Sequence, residues 1–578
     1  MNNKLQDLLL LMNIYNVDVL LLHNTDEYQS EYVLPMRQRI RWLCGFTGSN
    51  AFLIITKQCK GYFFTDGRYI LQAKMELDNN YYAIFNSSDI TPLKWLEKNL
   101  HVGSVIGYED QLFTLSQIKI YEKYSLKLIN SILIDKLWNR SMDFYQKVVD
   151  HPIKYSGESS YNKCVSVAKN YCTGQAMFIT DIGVISWLLN IRNATFVYNP
   201  SVFSRAILYK DGRIDLFIEN IEHVQITGLH VNIFAMDKLS NALKVLNNVS
   251  IDASTIPMYL FNIIKDKAVC VNAQDPCLLL KSEKNVTEIQ GAVRAHIRDG
   301  VAVINLLYWL YNQVMCQRKV TELDVESKVL EFRSVQELFQ RESFATISGF
   351  AENGAVIHYK SSEKTNKVIE GNGLYLLDSG GQYLDGTTDV TRTIAIGQPS
   401  DEQKYHFTLV LKGHIALAKA VFPVGISGSM LDILARQYLW SAGLDYQHGT
   451  GHGVGSFLSV HEGPQAISRG NDVIIKPGMI LSNEPGYYKE GEYGIRIENL
   501  MYVRKHKNKF LKFQQLTCVP IDINLISIHM LNYDEIYYLN YYHKFVYKVT
   551  SPYLCKDVRL WLRSLCKELE LKLCSFKK

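Results

Sequence analysis

The sequence lacks three features that would each point to a particular class of protein: closely paired cysteines, a strong net charge and a long apolar run. Its eleven cysteines are scattered from Cys44 to Cys574, their number is odd, and no CxxC pair occurs. A reducing compartment explains this pattern better than a disulfide framework does. The cysteine pattern therefore predicts a cytoplasmic location. No stretch approaches 18 apolar residues, so we expect no transmembrane helix.

The net charge of +5 is small for 578 residues and does not indicate nucleic acid or a membrane surface as a partner. The short basic run at 504–509 is expected to be a solvated turn between strands. The apolar run at 8–12 follows Asp7 and is interrupted by Asn13 and Asn16. It therefore predicts a helix followed by a strand and not a signal peptide.

Strand-like runs alternate with helical stretches, which predicts an α/β (α+β) fold. We expect two α/β domains, 1–130 and 131–278, then a third segment at 279–528 that holds nearly all the candidate chemistry, and a helical extension at 529–578. Short echoes between the first two segments hint at a duplicated fold: Trp42-Leu43 with Trp187-Leu188, and Asp66-Gly67-Arg68 with Asp211-Gly212-Arg213.

Two capping boxes indicate helices in the third segment. Thr287 with Gln290 predicts the start of a long helix, and Ser400 with Gln403 predicts a helix that runs to about residue 420. A further helix is expected from about 429 to 442, because Gly443 is the residue that a helix C-terminus prefers.

Two aspartates lie in unusual places on neighbouring predicted strands. Asp378 ends a short apolar strand, and Asp389 lies in the alternating run at 387–396, with a Ser-Gly-Gly turn between them. Adjacent antiparallel strands would bring the two carboxylates together, where they repel each other unless a proton or a cation intervenes. Asp is also a poor strand residue. The pair therefore favours a metal site over two capped edge residues.

Histidines and glycines are interleaved at 448–462. His448, His452 and His461 fall within 14 residues of a chain that holds only 15 histidines, and four glycines between them let the backbone approach a ligand closely. Imidazole is a common metal ligand. Not all three rings need be ligands, because supporting and substrate-binding roles fit the pattern equally well.

Two glutamates complete the candidate set. Glu484 follows an apolar strand and precedes a Pro-Gly turn, and Glu498 is predicted to share one face of a strand at 494–503 with Arg496. A surface salt bridge is the alternative for that strand taken alone. Four carboxylates and one imidazole suit Mn²⁺ or Co²⁺, with Zn²⁺ possible. They exceed the ligands of a single catalytic zinc, so two divalent metal ions bridged by carboxylates are expected.

These motifs closely resemble the aminopeptidase P family, X-prolyl aminopeptidases with the pita-bread fold. The resemblance covers nearly the whole chain and includes the two creatinase-like N-terminal domains of the long, three-domain cytosolic form. Its clearest runs are IHY (357–359), LLDSGGQYLDGTTDVTRT (376–393), HGTGHGVGSFLSVHEGP (448–464), NEPGYY (483–488), GIRIEN (494–499), SEYVLPMRQRIRWLCGFTGSNA (30–51), FTDGRYILQA (64–73), WLLNIR (187–192) and NPSVFSRAILYKDG (199–212).

The resemblance implies a role for each matching residue. Asp378 would hold one metal, His452 and Glu484 the other, and Asp389 and Glu498 would bridge the two. His461 would contact the scissile carbonyl oxygen, Glu484 would carry a proton to the leaving nitrogen, and a metal-bridging hydroxide would attack the carbonyl. His358 and His448 would line the substrate site around the proline. Arg496 would support the bridging Glu498 and the substrate end of the site, and Tyr488 would be a further substrate contact.

The resemblance also implies the substrate and assembly. We expect peptides with proline in the second position as partners, and a homodimer. The rival functions are a prolidase-like dipeptidase with the same metals and a binding protein that has lost catalysis. Departures from the family pattern at 193–195 and 349–352 touch no ligand position but leave the preferred peptide length open.

Overall fold

The computed structural model describes residues 3–101, 103–227, 230–271 and 275–570. The chain forms two compact units. The first comprises Met1–Ile153, Glu158–Phe196 and Pro200–Leu278, and the second comprises Lys154–Gly157, Val197–Asn199 and Leu279–Lys578. In the described part of the chain, no helix combines the length and apolarity that a bilayer crossing requires.

The strands up to residue 282 are, in chain order, β1 Val19–His23, β2 Phe52–Thr56, β3 Lys60–Thr65, β4 Tyr82–Asn86, β5 Val105–Glu109, β6 Ser125–Ile129, β7 Val148–Asp150, β8 Ala176–Ile179, β9 Ile191–Asn193, β10 Ser204–Tyr209, β11 Ile214–Ile218, β12 Val224–Gln225, β13 Val231–Ala235, β14 Val249–Asp252 and β15 Ala268–Val271. The helices are α1 Asn3–Ile14, α2 Arg39–Cys44, α3 Ile70–Glu76, α4 Pro92–Asn99, α5 Leu115–Lys119, α6 Leu133–Leu137, α7 Ile153–Ser156, α8 Ser160–Tyr171, α9 Ile182–Leu188, α10 Leu239–Val245, α11 Met258–Ile264 and α12 Pro276–Ser282.

Two six-stranded sheets in the first unit have the same topology. Their strand orders are β4-β3-β2-β1-β5-β6 and β13-β11-β10-β8-β14-β15. In both, the first strand along the chain pairs antiparallel with the second and parallel with the fifth. The short sequence echoes predict a duplicated fold, and this prediction is therefore confirmed.

The first of these sheets is covered on both faces, which explains why β1 is a continuous apolar run. Leu20 and Leu22 pack into one core with helix α1, whereas Val19 and Leu21 pack into another with helix α4. A strand buried on both faces needs apolar residues at every position rather than at alternate ones.

The second unit carries the remaining elements. Its helices are α13 Val286–Met315, α14 Glu322–Ser334, α15 Asp401–Ala418, α16 Gly428–Trp440, α17 Tyr533–Thr550 and α18 Lys556–Leu565. Its strands are β16 Phe339–Glu342, β17 Ile347–Phe350, β18 Gly373–Ser379, β19 Gly381–Tyr383, β20 Gly386–Thr387, β21 Val390–Ile396, β22 Val421–Pro423, β23 Gly451–Gly453, β24 Glu462–Ile467, β25 Ile480–Asn483, β26 Gly486–Lys489, β27 Tyr493–Arg496, β28 Asn499–Lys505 and β29 Phe510–Gln515.

Two sheets of the second unit matter most for the candidate site. One has the order β17-β18-β21, and the other has the order β22-β29-β28-β25-β23-β24. Their strands are buried along most of their length, and helices α15 and α17 contribute to the largest core cluster of this unit. Buried strands therefore carry or flank the candidate ligands.

Several local predictions can be compared with these elements. The capping box at Ser400 is confirmed, but the one at Thr287 is wrong, because Asn285 and Glu288 form the capping box that begins α13. The basic run begins at the exposed end of β28 and continues through the exposed turn to β29, so the expected solvated turn is confirmed for residues 506–509. The nine cysteines whose side chains the structure describes are free. Part of the helical extension, residues 571–578, lies outside the described residues.

Candidate metal centre

The two aspartates come together because β18 and β21 are antiparallel neighbours. Asp378 is opposite Thr391 in the register of this pair. Asp389 lies one residue before β21, not within a strand as predicted, since the predicted run is split into β20 and β21. The turn between the strands is thus longer than expected, yet Asp389 is 4% exposed and its electrostatic neighbours include Asp378.

The other three candidate ligands lie at or beside strands of the larger sheet. His452 is in β23, and Glu484 directly follows β25. The backbone N–H of Glu484 donates to the carbonyl of Thr450 at 2.8 Å, which ties the two segments together. Glu498 lies in a break between β27 and β28, where one continuous strand was predicted. The prediction of one continuous strand is therefore wrong, although Arg496 and Glu498 both contact the Thr391 hydroxyl.

Ligand atoms of different residues approach each other closely. His452 Nε2 lies 3.5 Å from Asp389 Oδ2 and 3.4 Å from Glu484 Oε1. One potential ligand atom from each of Asp389, His452 and Glu498 lies within 4.8 Å of the others. Arg496 Nη2 donates to Asp378 Oδ2 at 2.7 Å. The fold thus gathers the four carboxylates and the imidazole in one place.

Three buried carboxylate oxygens in this cluster have no hydrogen-bond partner among the described residues: Asp378 Oδ1, Asp389 Oδ1 and Glu498 Oε1. A buried anionic oxygen without a donor is costly unless a cation compensates it. Burial raises the pKa of Asp389 well above its usual value, and the charges of Asp378 and Glu484 raise it further. Burial and the charge of Asp389 likewise raise the pKa of Glu498. Divalent cations fit this donor set, because they would satisfy the free oxygens and cancel the repulsion.

Sequence reasoning did not identify Thr391 as a supporting residue. Its hydroxyl donates to Glu498 Oε2 at 2.8 Å, and its carbonyl accepts from the backbone N–H of Glu498 at 3.1 Å. These contacts hold Glu498 although it belongs to no strand. The only signal in the sequence is the position of Thr391 two residues after Asp389, on a strand that already carries a candidate ligand.

The residues predicted to bind substrate are placed at different distances from the cluster. His448 Nε2 lies 2.9 Å from the Tyr488 hydroxyl, and its Nδ1 lies 4.0 Å from Glu484 Oε2. The rings of His461 and His452 are perpendicular, with centroids 4.4 Å apart. His358 is half-buried and lies three residues beyond the 3-10 helix Ala351–Ala355.

Helix α16 supports the loop that carries His448, which the sequence did not indicate. Arg436 donates to the carbonyls of Tyr446 and His448 at 2.9 and 2.7 Å, and Asp432 accepts from the Thr450 hydroxyl. Arg436 also donates to Asp432 at 2.7 Å. A buried Asp–Arg pair at i, i+4 spacing is the signal that could have identified this support.

Comparison with known families defines the class of protein. Residues 285–505, which contain all five candidate ligands, match Metallopeptidase family M24, and residues 509–569 match the C-terminal region of peptidase M24. Residues 4–135 and 139–288 each match the Creatinase/Prolidase N-terminal domain. Fold and site together define a family M24 metallopeptidase with creatinase-type domains ahead of its metal site.

Full-length relatives identify the family to which the chain belongs within the M24 metallopeptidases. A probable Xaa-Pro aminopeptidase P of Laccaria bicolor is 37% identical over 97% of this chain and 92% of its own length. The corresponding protein of Paracoccidioides brasiliensis is 35% identical over 96% and 97%. The chain belongs to the aminopeptidase P family, and the resemblance drawn from its motifs is confirmed.

Solved structures agree with this assignment. The X-prolyl aminopeptidase of Caenorhabditis elegans, described as a cytosolic enzyme with a di-nuclear active site, superposes with a TM-score of 0.92 at 33% identity, covering 98% of this chain and 99% of that one. The prolidase of Pyrococcus horikoshii matches with a TM-score of 0.51 at 23% identity over 63% of this chain and 99% of its own, and this likeness concerns the fold alone.

Proposed function

We propose that this chain is a metallo-aminopeptidase that releases the first residue from peptides with proline in the second position. The observation that carries the metal-dependent chemistry is the buried cluster of four carboxylates and His452, in which three oxygens have no donor among the described residues. The specificity for proline is supported by the aminopeptidase P relatives. Asp378, Asp389, His452, Glu484 and Glu498 would hold two divalent ions. Such ions supply Lewis acidity toward a carbonyl and lower the pKa of water.

The metal and the surroundings of the enzyme are part of the proposal. Mn²⁺ is the proposed ion, with Co²⁺ and Zn²⁺ as alternatives, because oxygen-rich sites with one imidazole suit these metals. A cytoplasmic location is proposed from the free cysteines and from the cytosolic C. elegans relative. We extend the proposal to a homodimer and to the four domains 1–130, 131–278, 279–528 and 529–578.

The chain's own side chains would orient the substrate and move its protons. His461, whose ring lies beside that of His452, would donate to the oxyanion that forms at the scissile carbonyl. Glu484 would pass a proton to the leaving nitrogen of proline, because this nitrogen departs far more readily as a neutral amine than as an anion. His358 and His448 would line the proline side.

Arg496 and Tyr488 would keep the substrate-binding residues in place. Arg496 donates to Asp378 Oδ2 and to the Tyr488 hydroxyl, each at 2.7 Å, and therefore links the metal ligands to His448 through Tyr488. This buried linkage would hold the proline side of the site in register with the metal ions, as productive geometry requires.

The proposal is tested by incubating metal-stripped protein, reconstituted with Mn²⁺, with Arg-Pro-Pro, Arg-Pro and Arg-Ala-Ala. Metal-dependent release of arginine from Arg-Pro-Pro but not from Arg-Ala-Ala is the expected result. Cleavage of the dipeptide Arg-Pro alone would reassign the chain as a prolidase. Cleavage of none of the three, with metal bound, would contradict the proposal and favour a binding role.

A further inference from the structure

A buried arginine connects the candidate metal centre to the C-terminal helix α17. Arg392 lies in β21 and is 2% exposed. Its guanidinium donates hydrogen bonds of 2.6–2.9 Å to the carbonyls of Thr391, Glu498, Val519 and Pro520, to Asn499 Oδ1 and to the Tyr542 hydroxyl. Each of these acceptors is neutral, which is unusual because a buried charge is normally paired with an opposite one.

Arg392 meets the candidate metal centre at Glu498, because the main-chain carbonyl of this residue is one of the six acceptors. Arg392 therefore acts on the centre through hydrogen bonds to the backbone and not through an ion pair.

The backbone around Glu498 depends on this arginine. Glu498 lies in the break between β27 and β28, where regular strand pairing does not hold it. Arg392 Nη1 donates to the carbonyl of Glu498 at 2.6 Å, while Thr391 accepts from its N–H and donates to its carboxylate. Thr391 and Arg392 of β21 thus hold the backbone N–H and C=O of Glu498, respectively.

Tyr542 extends this support to helix α17. Its side chain is 1% exposed, its hydroxyl accepts from Arg392 Nη2 at 2.8 Å, and the same hydroxyl donates to the carbonyl of Val519 at 2.7 Å. The hydroxyl therefore orients the guanidinium that holds Glu498. Helix α17 lies in the part of the chain that matches the C-terminal region of peptidase M24.

We propose that Arg392 and Tyr542 are positioning residues for Glu498, so that helix α17 is part of the apparatus that holds the two metal ions. The proposal rests on the assignment of Glu498 as a metal ligand in the proposed function. Partners of metal ligands typically contribute 10–100-fold to metal affinity or activity. A misplaced Glu498 would weaken metal binding and lower kcat, with little change in KM, because neither residue touches the substrate.

The test compares two tyrosines on the same helix, in the full-length protein. Tyr542→Phe removes the hydroxyl that orients Arg392. Tyr538→Phe removes another buried hydroxyl, one turn earlier, that has no hydrogen-bond partner among the described residues. Titration of metal-stripped protein with Mn²⁺ by calorimetry should show affinity about 10-fold weaker for Tyr542→Phe and unchanged for Tyr538→Phe.

Kinetics provide the second readout. With Arg-Pro-Pro, Tyr542→Phe should lower kcat about 10-fold at saturating Mn²⁺ and leave KM within about twofold, whereas Tyr538→Phe should match the wild type. Arg392→Lys keeps the positive charge but loses the planar set of guanidinium N–H donors. It should therefore weaken Mn²⁺ binding at least as much as Tyr542→Phe does.

Two results would overturn the proposal: Mn²⁺ affinity of Tyr542→Phe equal to that of the wild type, or equal losses in both tyrosine variants. Because the calorimetry does not depend on peptide cleavage, failure of the proposed function can be distinguished from failure of the proposal about Arg392 and Tyr542. In that case the wild type would bind Mn²⁺ but not release arginine from Arg-Pro-Pro.

Discussion

Arg496 donates a 2.7 Å hydrogen bond to the hydroxyl of Tyr488. Because that oxygen accepts the guanidinium N–H, its own hydrogen is available to His448 Nε2, 2.9 Å away. The other nitrogen of the His448 ring lies 2.8 Å from the carbonyl of Gly449, which can only accept. This chain of contacts therefore selects the His448 tautomer that is protonated on Nδ1.

Removal of the Tyr488 hydroxyl should uncouple His448 from the metal ligands. Tyr488→Phe leaves Arg496 and His448 without this partner, and loss of a hydrogen bond to a charged group costs about 1.5–3 kcal/mol. We expect kcat/KM for Arg-Pro-Pro to fall by roughly 10- to 100-fold. Tyr487→Phe is the matched control, since that ring packs on His406 instead. Equal losses in the two variants would contradict this prediction.

Glu462, the residue after His461, should be essential for the stability of the fold. Glu462 is buried and paired with two buried lysines, Lys281 at 2.9 Å and Lys284 at a shorter distance. Burial raises the pKa of Glu462, but the two ammonium groups outweigh it and hold the pKa below its usual value. The resulting stabilisation is present above pH 4.5 and is lost as the pH falls through the lowered folded pKa.

Glu462→Gln should therefore lower the free energy of unfolding by about 3–5 kcal/mol, because it leaves buried ammonium groups unpaired. Urea denaturation at pH 7 measures this loss. The control is Glu283→Gln, which breaks the partly exposed pair of Glu283 with Lys476 and should cost less than about 1 kcal/mol. Losses of similar size in the two variants would show that burial of the Glu462 pair is unimportant.

The metal-free protein should lose stability as the pH rises. The folded pKa of Asp389 is raised above its ordinary value of 3.8, first by burial and then by Asp378. The folded state therefore binds this proton more tightly than the unfolded state. Its stabilising effect is complete below about pH 4 and disappears as the pH rises through the folded pKa.

Asp389→Asn removes this penalty, because asparagine carries no charge. In EDTA, the free energy of unfolding of the variant should exceed that of the wild type. The difference should grow as the pH rises above 4, and it should reach about 1.4 kcal/mol for each unit by which the folded pKa of Asp389 is raised. With saturating Mn²⁺ the order should reverse, since only the wild type gains full metal binding. A margin in EDTA that is widest below pH 4 would refute this account.

Local sequence patterns predicted much of the fold. The apolar strands, the capping box at Ser400 and the short echoes between the first two domains correspond to observed elements and to the matching topologies of the two six-stranded sheets. The proximity of Asp378 and Asp389 follows from the predicted antiparallel pairing. These features depend on residues close in sequence, where periodicity and turn chemistry are informative.

The details of the candidate site could not be predicted in the same way. Periodicity treated 494–503 as one strand, but the contacts of Thr391 and Arg392 with Glu498 break it there. Arg392 and Tyr542 are separated by 150 residues in sequence, so no local pattern could pair them. Specificity for proline could be predicted only from the family resemblance. The spacing of carboxylates indicates a metal site, but it does not indicate the substrate of that site.

The most direct test of the central claim is the number of metal ions that activity requires. Metal-stripped protein is titrated with Mn²⁺ while arginine release from Arg-Pro-Pro is measured, alongside Asp389→Ala. We predict that activity rises to a plateau at two equivalents per chain and that Asp389→Ala, which lacks one of the proposed metal ligands, stays inactive. Full activity without added metal, a plateau at one equivalent or an active Asp389→Ala would contradict a two-metal aminopeptidase.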